Sequence, residues 1–143
     1  MKDFKLFLDL IRIKKPIGIM LLFWPCSWGL TLVNDFSNGY SQYILYLIYF
    51  FLGAILMRSA GCIVNDILDR KYDILVERTK NRPIASGDIS VSLSLVYVII
   101  LCSLAFLILL QFNFITILLG LASMPFAFSY PLMKRYTYWP QLF

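Results

Sequence analysis

Four side chains that carry oxygen ligands follow an apolar stretch in the middle of the chain: Asn65, Asp66, Asp69 and Asp73. On one helix, at about 100° per residue, they would share a face about 100° wide. Carboxylates this close repel one another unless a cation lies between them, and ligands that are all oxygen suit Mg²⁺. The negative C-terminal end of the helix dipole also favours a cation there. The spacing therefore predicts a magnesium site at the end of a helix.

Basic side chains flank this stripe on both sides. Arg58 would lie on the same helical face, about 10 Å inside the apolar stretch. An arginine at the centre of a bilayer costs about 2.5–3.5 kcal/mol or more, so its position favours a bound anion nearby. The loop from Ile74 to Ile89 adds three further bases, Arg78, Lys80 and Arg82. Magnesium on one side and guanidinium groups on the other suit a diphosphate, so we expect a site for a phosphorylated, lipid-like substrate.

Two simpler interpretations compete with this site. A helix that leaves a membrane often becomes charged only because it meets water. The chain could also be a small cation carrier or a non-catalytic membrane subunit in which the acids gate an ion. Against a carrier, the acids follow the apolar stretch and do not interrupt its middle, where transport sites usually lie.

The composition is that of a membrane protein. Of the 143 residues, 60% are hydrophobic and 17% aromatic, and the mean hydropathy is +0.77. A soluble domain of this length could not hide such an excess in one core. The sequence contains no histidine, which excludes His-dependent triads and HExxH zinc sites. The three cysteines are far apart in apolar surroundings, so they fit neither a metal site nor a disulfide framework.

Apolar stretches and basic residues together predict the topology. Four stretches are long enough to cross a bilayer, which takes about 17–25 residues: 17–33, 43–64, 91–110 and 114–130. All but one of the 13 Lys and Arg residues precede the first stretch, separate the second from the third, or follow the fourth. This alternation predicts four transmembrane helices with both ends on the cytoplasmic side. It also accounts for the net charge of +5 without a nucleic-acid partner. Before the first stretch, the spacing of Phe4, Phe7, Leu8 and Ile11 predicts a short helix in the membrane interface.

The acidic stripe resembles a known family motif. Asn65-Asp66-x-x-Asp69-x-x-x-Asp73 is similar to the NDxxDxxxD motif of the UbiA superfamily of intramembrane prenyltransferases. Further blocks resemble the branch of that family that prenylates 4-hydroxybenzoate in ubiquinone biosynthesis: KKPIGIMLLFWPCSWGL, LMRSAGCIVND, ERTKNRPIASG and YPLMKRYTYWPQ. The resemblance runs from about Arg12 to the last residue.

The resemblance implies an all-α, polytopic membrane helical bundle. Residues 1–143 would form a single membrane domain that supplies four of the nine transmembrane helices of a UbiA-like fold. The resemblance also implies Mg²⁺ as cofactor, polyprenyl diphosphate and 4-hydroxybenzoate as substrates, and a place in the bacterial or mitochondrial inner membrane. By motif, the metal ligands would be Asn65, Asp66, Asp69 and Asp73, with Asp66 the less certain. Asp69, Asp73 and Arg82 would be catalytic. The substrate-binding bases would be Arg58, Arg78, Lys80, Lys134 and Arg135.

The sequence departs from the family pattern in one respect. The family carries a second aspartate-rich motif, whereas here no Asp or Glu follows Asp88. We therefore expect this chain to be the N-terminal portion of a prenyltransferase and inactive by itself, since half of the metal site is missing.

Neighbouring enzyme classes leave some alternatives open. CDP-alcohol phosphotransferases place DGxxAR ahead of their acids, and Ile67-Leu68-Asp69-Arg70 after Asp66 does not fit that pattern. Within the UbiA superfamily, haem, menaquinone or tocopherol-type acceptors remain alternatives to 4-hydroxybenzoate. The oligomeric state and the prenyl chain length do not follow from the sequence.

Overall fold

A computed structural model describes residues 2–34 and 40–133. Its regular elements over these ranges are all α-helices. They are α1 (Lys2–Leu10), α2 (Ile17–Val33), α3 (Ser41–Asp73), α4 (Val91–Leu109) and α5 (Phe114–Met133). The all-α prediction is confirmed.

The helices begin and end where local chemistry allows. Ser90 is extended, and its hydroxyl accepts a hydrogen bond from the Leu93 amide at 3.2 Å, which caps the start of α4. The Asn113 side chain accepts one from the Thr116 amide at 2.8 Å and does the same for α5. Pro25 lies inside α2 and Pro125 inside α5 without ending either helix. Apolar runs with such caps explain why α4 and α5 begin where the predicted stretches begin, whereas α2 begins after Pro16 without a side-chain cap.

Helix α3 is longer than its apolar part. It has 33 residues, continues past Val64 and ends at Asp73, so the acids do lie on one continuous helix. The other four helices all pack against α3. The molecule is therefore organised around α3, in which an apolar segment is followed by a charged C-terminal segment.

The buried core lies near the charged end of α3. Ile63 of α3, Leu10 of α1 and Ile84 of the loop are all completely buried there. The ring of Phe7 packs against that of Tyr97 with centroids 5.0 Å apart. Helix α1 is confirmed as a helix, but part of the face that we expected to meet the membrane interface is covered by the protein.

Away from this core, large apolar side chains face outward. Leu32 of α2, Leu107 of α4 and Leu119 of α5 are 86%, 58% and 65% exposed. In water such a surface would be strongly unfavourable, whereas in lipid it is the expected one. Within the part of the chain that the structure describes, three helices are long and apolar enough to cross a membrane: Ser41–Asp73, Val91–Leu109 and Phe114–Met133. Ile17–Val33 is a shorter apolar helix of 17 residues.

Candidate functional site

The charged end of α3 holds a buried ionic cluster, which we call the polar corner and define as Arg12, Asp66, Asp73 and Arg82. Asp66 is 2% exposed and Asp73 is 8% exposed. Nη1 of Arg82 lies 3.1 Å from Oδ1 of Asp66 and 2.7 Å from Oδ2 of Asp73. One guanidinium group therefore joins two carboxylates that the sequence predicted to share a cation.

Arg12 completes the polar corner from the other side. Its guanidinium group donates a hydrogen bond to the same Oδ1 of Asp66. Sequence reasoning assigned Arg12 only to the topology signal and missed this contact, which joins residues 54 positions apart. Helical periodicity relates residues within one helix, so no local pattern could have paired these two. Burial raises the pKa of the Asp66 carboxyl group, and the charges of Arg12 and Arg82 oppose that shift.

The backbone around the polar corner is fixed by the loop after α3. The Thr79 hydroxyl donates a hydrogen bond to the Asp73 carbonyl at 3.0 Å. The amide of Ser86 donates to the Arg82 carbonyl at 2.8 Å, and that of Ile89 donates to the Pro83 carbonyl at 2.9 Å. Gly87 adopts a left-handed φ of 84°, which a side chain would strain. These turns hold Arg82 against the end of α3.

The remaining members of the acidic stripe, Asn65 and Asp69, are half-buried on the same helix. Within residues 2–34 and 40–133, no three His, Cys, Asp or Glu side chains lie close enough together to hold a metal. The donor set still fits Mg²⁺, because this ion commonly takes one or two carboxylates and completes its shell with phosphate oxygens and water. Asp73 already accepts a cation, the Arg82 guanidinium group, at one oxygen. The two carboxylates of the polar corner are thus paired with guanidinium groups in this structure.

Beside the polar corner lies a basic pocket of about 540 Å³ between the N-terminal segment and the loop. Its walls include five cationic side chains and one acid: Arg12, Lys14, Lys15, Arg78, Arg82 and Asp9. Lys14 is paired with Asp9 at 3.0 Å, but both side chains are largely exposed. The excess of positive charge suits an anion. Arg78, predicted to bind substrate, and Arg82, predicted to be catalytic, both line this pocket. Sequence reasoning missed Lys14 and Lys15.

An apolar cavity of about 400 Å³ lies among α2, α3, α4 and α5. Small residues make room for it, among them Gly53, Ala54, Gly61, Ala105 and Gly120. Arg58 lines this cavity and makes no ion pair with any residue of the described ranges.

The Arg58 guanidinium group lies directly over Gly18 of α2. A Cβ atom at Gly18 would come within 2.8 Å of Cζ and 2.9 Å of Nη2 of Arg58. Only glycine leaves room for this packing. The structure thus brings Arg58 to the cavity rather than into the polar corner with the acids.

The other predicted bases lie apart from these two spaces. Lys80 pairs with Glu77 at 2.7 Å on the surface, with side chains 44% and 87% exposed. Lys134 and Arg135 fall outside the described residues.

These features define a class. The apolar helices with outward-facing leucines and the buried ionic cluster are those of an integral membrane protein built from α-helices. Residues 20–143 match the UbiA prenyltransferase family, and the chain belongs to that family.

The curated relatives agree with this assignment. The chain is 49% identical over 136 residues to the mitochondrial 4-hydroxybenzoate polyprenyltransferase of Rattus norvegicus, covering 95% of this chain and 36% of the relative. It is 47% identical over 138 residues to the protein of the same name from Drosophila pseudoobscura pseudoobscura, covering 96% and 34%. It is 47% identical over 137 residues to the 4-hydroxybenzoate octaprenyltransferase of Hydrogenovibrio crunogenus, covering 96% and 47%. The chain thus spans between a third and a half of the length of these relatives. No solved structure matches it significantly.

Proposed function

We propose that the protein takes part in magnesium-dependent transfer of a polyprenyl group from polyprenyl diphosphate to the ring of 4-hydroxybenzoate, in ubiquinone biosynthesis. The names of the relatives support the donor class and the acceptor. The observation that carries the proposal is the order along α3. Arg58 and Gly61 line the apolar cavity. Closer to the C-terminal end of the helix, Asp66 and Asp73 pair with Arg82, which also lines the basic pocket. A prenyl diphosphate has matching parts, a charged head and an apolar tail.

The site residues divide the work between the two parts of the donor. Asn65, Asp69 and Asp73 would hold Mg²⁺, which when bound neutralises diphosphate charge and makes the diphosphate a better leaving group. Arg78, Arg82, Lys14 and Lys15 would bind the diphosphate oxygens from the basic side. Lys80, Lys134 and Arg135 remain proposed substrate-binding bases of the same side.

The apolar cavity would hold the part of the prenyl tail next to the reacting carbon and exclude water from it. Arg58 would supply a positive charge there and attract the inner end of the diphosphate or the acceptor carboxylate. The allylic C–O bond breaks and its electron pair leaves with diphosphate. A ring carbon ortho to the phenol hydroxyl then forms the new C–C bond and loses its proton, which restores the aromatic ring.

The same proposal includes a topology. Residues 17–33, 43–64, 91–110 and 114–130 would cross the membrane, with both ends of this chain on the cytoplasmic side. The membrane would be the bacterial inner membrane or the mitochondrial inner membrane, as the names of the bacterial and mitochondrial relatives suggest. Labelling of single engineered cysteines from either side would test these assignments.

The direct test is an assay of membranes from cells that express the protein from its complete coding region. Labelled 4-hydroxybenzoate, a polyprenyl diphosphate and Mg²⁺ are supplied, and the prenylated product is extracted and measured. We expect product that requires the donor and disappears with EDTA. Transfer to a haem, menaquinone or tocopherol-type precursor instead would contradict the acceptor. Metal-dependent uptake of cations without product would favour the carrier interpretation.

A further inference from the structure

The short segment between α1 and α2 has an unusual backbone at one residue. Arg12 adopts a φ of 54°, the left-handed region that residues with a Cβ seldom enter. Its neighbours on the N-terminal side are fixed, since Leu10 is completely buried and Ile11 is 8% exposed. Residues keep such conformations where the surrounding structure demands them, often at functional sites. The segment is therefore built to direct the Arg12 side chain to one place.

That place is Asp66. This carboxylate is 2% exposed and takes two guanidinium groups on its Oδ1, from Arg12 and from Arg82. A buried carboxylate with this degree of pairing is costly to withdraw, because Arg12 would lose its partner and Arg82 would keep only Asp73. Asp66 is therefore poorly suited to act as a metal ligand, although it lies in the family motif.

We propose that Arg12 is a positioning residue of the prenyl-transfer site, and that Asp66 anchors the two arginines and does not ligate the metal. This inference rests on the proposed function. Arg82 Nη1 divides its contacts between Asp66 at 3.1 Å and Asp73 at 2.7 Å. Because Arg12 supplies part of the charge that Asp66 needs, Arg82 stays close to Asp73 and at the wall of the basic pocket. Without Arg12, the buried Asp66 draws Arg82 inward and away from a bound diphosphate.

The experiment measures binding of inorganic diphosphate with Mn²⁺, a paramagnetic substitute for Mg²⁺, to the purified protein expressed from its complete coding region. Mn²⁺ is followed by electron paramagnetic resonance, alone and with diphosphate. We expect Arg12→Ala to weaken diphosphate binding about 10- to 100-fold, as for the loss of a residue that orients a metal site. Arg12→Lys restores part of the affinity, because an ammonium group keeps the charge but lacks the two-pronged geometry. As a control, Lys5→Ala removes an exposed cation from α1 and should leave the affinity for diphosphate unchanged.

Asp66→Asn separates an anchor from a ligand. If Asp66 anchors the arginines, the variant keeps the affinity for Mn²⁺ alone and loses affinity for diphosphate. The combined Arg12→Ala and Asp66→Asn variant then binds diphosphate about as well as either single variant, since both changes act on one unit. Loss of binding to Mn²⁺ alone in Asp66→Asn would overturn the anchor role.

Two results distinguish this inference from the proposed function. Wild-type protein that binds neither Mn²⁺ nor diphosphate would overturn both. Wild-type protein that binds both, together with an Arg12→Ala variant that melts at a lower temperature but binds diphosphate normally, would overturn the positioning role alone. If Arg12→Ala does not fold, diphosphate affinity and melting temperature are compared in Arg12→Lys and Asp66→Asn instead.

Discussion

The polar corner and the apolar cavity lie along the same helix, but the first buries paired charges and the second leaves an apolar space open. In the polar corner, buried carboxylates meet arginines from two other parts of the chain, so that charge is compensated at short range. In the cavity, the lining is mostly apolar, and small residues such as Gly53 and Gly61 leave space open between four helices. The polar corner is filled by ion pairs, whereas the cavity stays open because several of its lining residues are small.

Under the proposed function, these two parts of one helix would serve the two ends of an amphipathic substrate. Charged groups can be buried at the end of α3 because the N-terminal segment and the loop each bring a partner. Nearer the middle of α3, Arg58 lies in the cavity wall over Gly18, and no acid of the described ranges forms an ion pair with it. The two regions therefore carry positive charge in different ways, as paired guanidinium groups in the polar corner and as Arg58 at the cavity.

The largest effect is expected at the acids. We predict that Asp69→Ala and Asp73→Ala each lower prenyl transfer by more than about 100-fold. Removing a side chain that binds the metal directly should reduce activity at least as much as removing one that only orients such a ligand. The assay with labelled 4-hydroxybenzoate measures this, and Asp69→Asn and Asp73→Asn serve if the alanine variants do not fold. Either acid replaced without loss of product would contradict the metal assignment.

The cavity can be filled without disturbing the corner. A Cβ atom at Gly61 would meet nothing within 4 Å, and Gly61 lines the cavity. We predict that Gly61→Leu lowers the kcat/KM for a long polyprenyl donor by about 10- to 100-fold, since a blocked apolar pocket loses contacts of roughly this value. A short-chain donor should lose less.

Gly29 gives a matched control for that change. It is also free of neighbours within 4 Å of an added Cβ, and it does not line the cavity. Gly29→Leu should leave the preference between long and short donors unchanged. Equal losses for both donors in Gly61→Leu would show that the cavity does not hold the tail.

A smaller effect is expected where the cavity wall touches Arg58. Gly18→Ala places a methyl group where the guanidinium group now lies, so the side chain of Arg58 must move. We predict an increase of about three- to tenfold in the KM for the donor, the equivalent of one lost hydrogen bond. Steady-state kinetics with Gly29→Ala as the comparison measures it. An unchanged KM would contradict the proposed role of Arg58 in binding the donor.

The smallest effect is expected at the surface. Glu77→Gln breaks the exposed pair with Lys80, and such pairs contribute less than about 1 kcal/mol. We predict a shift in the free energy of unfolding within this value and normal transfer of the prenyl group. A large loss of stability would mean that this pair belongs with the polar corner.

Much of the fold follows from local patterns. The apolar runs that begin at Ile17, Val91 and Phe114 predict the starts of α2, α4 and α5, because apolar continuity and capping residues act within a few positions. The extension of α3 to Asp73 follows from the helical spacing of the acids. The packing of α1 did not follow from its own spacing, since part of its apolar face meets helices that are distant in sequence.

The sequence by itself determined the helices, the acidic stripe and the likeness to the UbiA prenyltransferases, since each depends on residues close together or on motif blocks. Only the tertiary structure decided that Arg12 and Arg82 share Asp66, that Arg58 lies over Gly18, and that small residues from several helices enclose one cavity. These depend on how the N-terminal segment and the loop dock on α3. The physical reason is that a buried charge takes whichever partner the packing brings within reach, and spacing along the chain does not record that partner.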